Sequence, residues 1–151
     1  YEHYKGEIKI GEANIKYISH NFWRSQCSCV LQDGYIFNDT IANNIALYGE
    51  QINQQQLIHA CKVANILSFI ESLPLGFNTK IGMEGTGISQ GQKQRILIAR
   101  AVYKNPEYIF FDEATNALDA NNEKAILENL QSFFQNKTVV VVAHRLSTVK
   151  S

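Results

Sequence analysis

The sequence has no excess of charge of either sign, since 14 lysine and arginine residues balance 14 aspartate and glutamate residues. A domain that binds nucleic acid through its phosphates usually carries a positive excess, so we expect no nucleic-acid partner. A long hydrophobic run is also missing. The longest clearly apolar segment near the C-terminus, Val139–Ala143, is far shorter than the roughly 20 residues that cross a bilayer. The first residues show no signal peptide, and we expect this chain by itself to be soluble.

Cysteine is scarce, with three residues and no Cys-x-x-Cys pair. Cys27 and Cys29 are spaced to share one face of a strand, and Cys61 falls in a helical pattern. Few cysteines without metal-ligand spacing favour reduced core thiols in a cytosolic protein over a metal site.

What the sequence does contain is enough apolar material for one core. Its 151 residues, 45% of them hydrophobic, suit a single globular domain. Residues 6–11 alternate and then turn, which predicts a hairpin, and 27–31 predict a short strand after a helical turn at 19–25. Helical spacing follows, with one helix from Ile41 and a single longer one over 57–69. We expect the apolar residues of this helical middle to form their own small core rather than a docking surface.

The strands return in the last third of the chain. Residues 107–111 and 138–142 are uninterrupted β formers of the type buried in a parallel sheet, and a helix over about 121–134 joins them. Another helix, from about Ser89 to Tyr103, precedes this βαβ unit and ends before Pro106. The sequence therefore predicts an α/β fold.

Two adjacent carboxylates, Asp112 and Glu113, follow the first of these strands. Ligands bind at the carboxyl edge of a parallel sheet. Neighbouring side chains on an extended segment point different ways, so one carboxylate can hold a Mg2+ shell while the other faces a nucleophile, as phosphoryl transfer to water requires. The alternative is that Asp112 only begins the turn to the next helix.

Two further segments suit phosphate oxygens. Small residues at 87–92 open a helix, where backbone N–H groups form an anion site and Ser89 adds a hydroxyl, although Ser89 and Gly91 also suit a helix cap and a turn. His144 follows the strand 138–142 at the edge where Asp112 emerges, and it can bind a phosphate oxygen or be a satisfied core histidine.

Together these segments resemble the nucleotide-binding domain of ABC transporters. Five motifs occur in family order, namely a Q-loop, a signature motif with Gln90 where glycine is commoner, a Walker B strand, a D-loop and a switch-histidine segment, at 30–34, 88–92, 108–113, 116–119 and 143–148. The resemblance implies a P-loop NTPase-like ABC ATPase core with a mainly parallel sheet and an inserted α-helical subdomain. It divides the chain into a core part with the Q-loop (1–38), the helical subdomain (39–88), and a second core part that begins with the signature helix (89–151).

The resemblance also implies ATP and Mg2+ as cofactors. Glu113 would act as general base, Asp112 would hold Mg2+ through its water shell, and Gln32 would contact Mg2+ or water and report its state to the transport subunit. His144 would stabilise the γ-phosphate and the position of the attacking water.

Two such domains in the family sandwich two ATP molecules head to tail. Ser89, Gln90, Gly91 and Gln92 would therefore serve the nucleotide of the partner domain, with Asp119 at the same interface. A second partner would be the transmembrane domain of an exporter, which meets the helical subdomain near Gln32 and places the chain at the cytoplasmic face of the membrane.

One family element is missing from the sequence. Phosphate binding depends on Gly-x-x-x-x-Gly-Lys-Ser/Thr, the Walker A loop, yet the glycine pairs with this spacing, 6 with 11 and 82 with 87, lack the lysine. In the family this loop, with the first strand and its helix, lies upstream of the hairpin at 6–11. We therefore interpret the chain as cut off at its amino side, expect negligible ATPase activity from it alone, and expect exposed apolar surface where the missing elements pack.

Three function classes compete. The leading one is the ATPase of an exporter, with a variant signature similar to that of peptide or bacteriocin exporters that carry an N-terminal peptidase domain. Chromosome-maintenance and repair ATPases share the signature helix and Walker B strand, but no sustained heptads of a coiled coil appear. A non-catalytic module that occupies a partner's site through its signature helix is the third.

Overall fold

The architecture is that of an α/β protein with a small helical layer, as predicted. A computed structural model describes residues 5–47, 51–83, 85, 87–112 and 120–142, with only the backbone of 120–124. In chain order the elements are β1 (Lys9–Ile10), β2 (Ala13–Asn14), α1 (His20–Gln26), β3 (Cys27–Val30), β4 (Asp39–Thr40), α2 (Ile41–Ala46), α3 (Gln54–Val63), α4 (Leu67–Ser72), β5 (Lys80–Ile81), α5 (Gln90–Lys104), β6 (Tyr108–Asp112), α6 (Ala120–Phe133) and β7 (Thr138–Val142).

The main sheet has the strand order β3-β6-β7, with both pairs parallel. Strand β6 is central, and α6 connects it to β7, so the predicted βαβ unit is confirmed. Val30 lies opposite Phe111, and Asp112 lies opposite Val142, so all three strands end at the same edge. The predicted hairpin is confirmed as the antiparallel pair β1 and β2.

The two faces of this sheet differ in what covers them. One face packs on α5 and α6 and is buried at Val30, Ile109 and Phe111. On the other face Phe110, Val140 and Val142 are 36%, 44% and 50% exposed. We call the first the packed face and the second the open face.

The prediction that strand 138–142 is buried is therefore wrong. Its burial pattern is mostly exposed, because in the described ranges β7 pairs with β6 alone and stands at the margin of the sheet. Within the described part of the chain, the cover of the open face is α1 at its amino end, where the rings of Trp23 and Tyr108 lie 4.9 Å apart. Apolar surface is exposed here, as expected.

The helical middle differs from the prediction in one respect. The single helix expected over 57–69 is two helices, α3 and α4, because the chain turns at Asn65, whose φ of 51° is left-handed. The Arg95 guanidinium donates to the Asn65 carbonyl at 3.1 Å across this turn.

The apolar side chains of the helical layer are buried, as expected, but they share one core with the sheet instead of forming their own. Fully buried side chains of α2, α3 and α4 pack in one cluster with those of α5: Ile41, Ile45, Leu57, Ile70, Ile96 and Ile98. None of the helices in the described ranges combines the length and apolar character that a membrane span requires.

The three cysteines do not share one environment. All are free thiols; Cys61 is buried, Cys27 is half-buried and Cys29 is exposed on the open face. The prediction of core thiols is confirmed for Cys61 and wrong for Cys29, because the strand that carries Cys29 turns it toward the uncovered side of the sheet.

Candidate functional site

The carboxyl edge of the sheet holds two of the predicted site residues. Asp112 is the last residue of β6, and its side chain is exposed. Gln32, also exposed, follows two residues after Val30, which ends β3 with 1% exposure. Since Val30 is aligned with Phe111, the two polar residues leave neighbouring strands at the same end.

Three predicted residues lie outside the described residues: Glu113, Asp119 and His144. The strands that lead toward Glu113 and His144 are described up to Asp112 on β6 and Val142 on β7. These two residues are aligned across the parallel pair.

The start of α5 is a complete capping box. The Gln92 N–H donates to the Ser89 hydroxyl at 3.2 Å, and the Ser89 N–H donates to the Gln92 side-chain oxygen at 2.8 Å. The prediction that Ser89 caps the helix is therefore confirmed, with Gln92 as its reciprocal partner.

The capping box leaves two amides of the first turn without an intrahelical acceptor. In an α-helix the N–H groups of the first positions have no carbonyl one turn earlier, which here applies to Gln90 and Gly91. The first turn carries no acidic residue, and Lys93 follows it. The helix macrodipole adds positive potential, so this turn can bind an anion through its backbone.

The negative charge of Asp112 affects the Cys29 thiol on the open face. Burial, and secondly the negative charge of Asp112, raise the pKa of the Cys29 thiol above its ordinary value. The Asp112 carboxylate thus lies close enough to Cys29 to disfavour a second negative charge there.

Sequence reasoning missed two polar residues beside the site, Asn44 and Arg100. Asn44 on α2 is fully buried, and Arg100 on α5 donates to the Asn44 backbone carbonyl and to the Tyr35 carbonyl in the loop that follows Gln32. The available signal was a cation inside an apolar run, since Arg100 is flanked by buried Ala99 and Ala101.

Nucleotide binding requires hydrogen-bond donors to the phosphate oxygens and ligands for the Mg2+ ion that accompanies them. The first turn of α5 supplies donors of the required type, and Asp112 supplies one exposed carboxylate of the type that Mg2+ prefers. Among the residues that the structure describes, no group of three or more histidine, cysteine, aspartate or glutamate side chains could hold a metal ion. A Mg2+ ion at Asp112 would therefore need water, nucleotide oxygens or ligands from beyond those residues.

Comparisons with known proteins agree with this geometry. The model of the ABC transporter family matches residues 1–116. ABC transporter B family member 13 of Arabidopsis thaliana is 48% identical over 151 residues, all of this chain and 12% of that protein. An ATP-dependent lipid A-core flippase of Shewanella sp. (strain MR-4) is 46% identical over 147 residues, 97% of this chain and 24% of that protein.

A solved structure is similar throughout. The structure of a bacterial Atm1-family ABC exporter with ATP bound has a TM-score of 0.90 and 39% sequence identity, covering 97% of this chain and 26% of that chain. The chain thus spans between 12% and 26% of the length of these relatives. Because the family model matches most of the chain and the exporter structure superposes on nearly all of it, the chain belongs to the ABC transporter family, as part of its ATP-binding domain.

Proposed function

We propose that the chain is the carboxyl-terminal portion of the ATP-hydrolysing unit of an ABC exporter, which couples ATP binding and hydrolysis to export of a substrate. One observation carries the proposal: a capped helix start with two available amides and a sheet edge that ends in Asp112 occur in one chain, 97% of which is matched by a flippase and by an exporter structure. A Mg-nucleotide site requires hydrogen-bond donors to the phosphates and a ligand for the Mg2+ ion.

At the sheet edge, Asp112 and Gln32 would hold the Mg2+ shell, and Glu113 would accept the proton of the attacking water. His144 would donate to the γ-phosphate. Bound with ATP, Mg2+ supplies neutralisation of the charge that develops on the phosphate oxygens. Exposure of Asp112 and Gln32 at one end of the sheet supports their shared role.

At the helix start, the amides of Gln90 and Gly91 would donate to the nucleotide of a second ATP-binding domain in a head-to-tail dimer. The Ser89 and Gln92 side chains bond to each other's backbone, which supports a role in holding the turn in shape in addition to contact with the nucleotide. Asp119 would lie at the same interface.

The second partner would be the transmembrane domain of the exporter, at the cytoplasmic face of the membrane. Exposed Tyr35 and Phe37, which follow Gln32, stack edge to face at 5.1 Å and offer it an aromatic surface. We retain the division into 1–38, 39–88 and 89–151 as part of this proposal.

The chain alone would hydrolyse ATP negligibly. Its 151 residues contain no Gly-x-x-x-x-Gly-Lys-Ser/Thr. Loss of one well-placed oxyanion donor costs about 3 to 4 kcal/mol of transition-state stabilisation, and this loop supplies several donors and a cation.

The test compares Glu113→Gln with Glu107→Gln in the complete protein. Glu113→Gln should lower kcat by about 10²- to 10⁴-fold while ATP still binds, because the amide cannot accept the proton. Glu107 is exposed just before β6, at the opposite end of the strand, so Glu107→Gln should leave kcat unchanged. Equal effects of the two substitutions would refute the role of Glu113. Mg-dependent turnover by residues 1–151 alone, abolished by Glu113→Gln, would refute the predicted inactivity.

A second candidate rests on the same missing loop. A chain without the phosphate-binding loop could still place the first turn of α5 against the nucleotide of a complete partner domain and regulate that domain. Adding the chain to such a domain would then change the partner's ATPase rate, and Gly91→Pro would remove the effect by deleting one of the two amides. An unchanged rate would exclude this candidate.

A further inference from the structure

The loop from 31 to 38 crosses from the sheet to the helical layer, with Gln32 near its beginning. Its first end is fixed by Val30, which is buried on the packed face of β3. Its other end leads into α2 through Asp39 and Thr40. The position of exposed Gln32 therefore depends on how firmly the rest of the loop is held.

The Asn44 side chain satisfies both backbone polar groups of Phe37. Its Oδ1 accepts from the Phe37 N–H at 2.8 Å, and its Nδ2 donates to the Phe37 carbonyl at 3.0 Å. The same Nδ2 lies 3.0 Å from the Thr40 carbonyl. Because Asn44 is fully buried, water cannot replace these bonds.

Arg100 on α5 bonds to Asn44 and to the same loop. Its Nε donates to the Asn44 carbonyl at 2.7 Å, and its Nη1 donates to the Tyr35 carbonyl at 2.9 Å. The guanidinium also lies 5.4 Å from the centre of the Phe37 ring, within cation–π distance. Burial lowers the pKa of Arg100 below its ordinary value, which reflects how much water this contact excludes.

A second contact lies closer to Gln32. A methyl group at Gly34 would overlap a terminal carbon of Leu97, and Leu97 is itself 5% exposed. The loop backbone thus rests directly on α5, one turn before Arg100. Only glycine allows this approach without displacing a core side chain.

We propose that Asn44 and Arg100, the loop clasp, are positioning residues for Gln32, and that they hold the loop so that Gln32 keeps a fixed place relative to the first turn of α5. The proposal rests on the proposed function, which gives Gln32 and that turn their roles at the nucleotide. Because α5 is one continuous helix, Arg100 and Gln90 are joined by about 15 Å of rigid backbone. Motion of the helix start would then be passed to Gln32 directly.

The first test measures amide hydrogen exchange on the 151-residue chain. Arg100→Lys keeps a positive charge but loses the fork that bonds two carbonyls at once. We expect exchange at 35–39 to accelerate about tenfold or more, with β6 unchanged. The control, Arg95→Lys on the same helix, breaks a bond to Asn65 and should leave 35–39 unchanged.

Two outcomes of this test would overturn the proposal. One is unchanged exchange at 35–39, and the other is equal acceleration in the loop and in β6, which would mean general destabilisation. Should Arg100→Lys fail to fold, Phe37→Leu removes the ring contacts with Arg100 and Tyr35, keeps the backbone bonds to Asn44, and should accelerate the loop in the same direction by a smaller factor.

The second test is a double-mutant cycle on ATP hydrolysis by the complete protein. Arg100→Lys should lower kcat with little change in KM, and it should have no further effect when Gln32 is already alanine, because residues that act through one another are not additive. Arg95→Lys should change kcat by the same factor in both backgrounds.

The cycle separates the two proposals. If Gln32→Ala leaves kcat unchanged, the role of Gln32 under the proposed function is wrong. If Gln32→Ala lowers kcat and Arg100→Lys lowers it by the same factor with or without Gln32, the site stands and the clasp does not act through Gln32.

Discussion

On β6 the packed and open faces of the central sheet carry the same kind of apolar residue and differ in how far water reaches them. Ile109 and Phe110 are neighbours on β6, yet Ile109 is fully buried against the helices and Phe110 is 36% exposed. In the described ranges α5 and α6 cover the packed face at β3 and β6 but leave Val141 on β7 51% exposed, and α1 covers the open face at its amino end.

This difference shows which contacts hold the described part together. Parallel sheets are normally covered on both faces, and their strands are apolar on both sides for that reason. The side chains of the open face match this pattern although water reaches them, so we expect further structure to pack there in a complete domain. The closed helical layer, in contrast, already buries its own apolar residues.

The largest effect should come from truncation on the packed face. Ile109→Ala removes a fully buried side chain between β6 and the helices and should cost about 2 to 5 kcal/mol of unfolding free energy. Its counterpart on the open face, Val140→Ala, should cost less than about 1 kcal/mol, since little packing is lost. Urea unfolding of the chain measures both. Similar costs would mean that the open face is covered in solution.

A smaller effect is expected where the loop after Gln32 meets the packed side. Gly34→Ala places a methyl group against the buried side chain of Leu97 and should cost about 1 to 3 kcal/mol. Gly87→Ala is the control, because a methyl group there meets nothing within 4 Å and should change stability by no more than about 0.5 kcal/mol. A neutral Gly34→Ala would show that the loop can lift away from α5.

The next prediction compares the N-cap of α5, which packs on the packed face, with that of α1, which covers the open face. Ser89→Ala removes the hydroxyl that caps α5 and should cost about 1 kcal/mol. Ser19 occupies the same position before α1 but makes no side-chain cap bond, so Ser19→Ala should be nearly neutral. Thermal unfolding of both variants tests this. If the two serines cost the same, the capping box contributes nothing at α5.

Much of the fold was predictable because its signals are local. The strand pattern around Ile109, the helix start at Ser89 and the hairpin near Gly11 each depend on a few neighbouring residues. The break between α3 and α4 was not predictable from periodicity, since the apolar spacing continues through Asn65 while the backbone turns.

The site was predictable at the level of segments and not of contacts. The end of a parallel strand placed Asp112 and a helix start placed Ser89, whereas Gln32 came from the resemblance to the Q-loop of the family. The contacts of Arg100 could not be foreseen, since they join residues 56 and 65 positions apart in the chain. The exposure of β7 likewise depends on what lies beside it and not on its own sequence.

The smallest effect is on the reactivity of thiols in the two environments. Exposed Cys29 lies on the open face, whereas burial raises the pKa of Cys61 to about 12 in the helical layer. A thiol reagent at pH 8 should therefore modify Cys29 first and Cys61 only after unfolding, because the thiolate is the reactive form. Cys29 should react faster as the pH rises toward its own raised pKa.

The labelling rate of Cys29 in Asp112→Asn tests whether the Asp112 charge reaches this thiol. The Asp112 charge is the second cause of the raised pKa of Cys29, so its removal should lower that pKa and shift the increase in labelling rate to lower pH. Glu107→Asn, at the other end of β6, is the control and should leave the labelling profile of Cys29 in place. Identical profiles for the two variants would mean that the Asp112 carboxylate does not influence Cys29 across the open face.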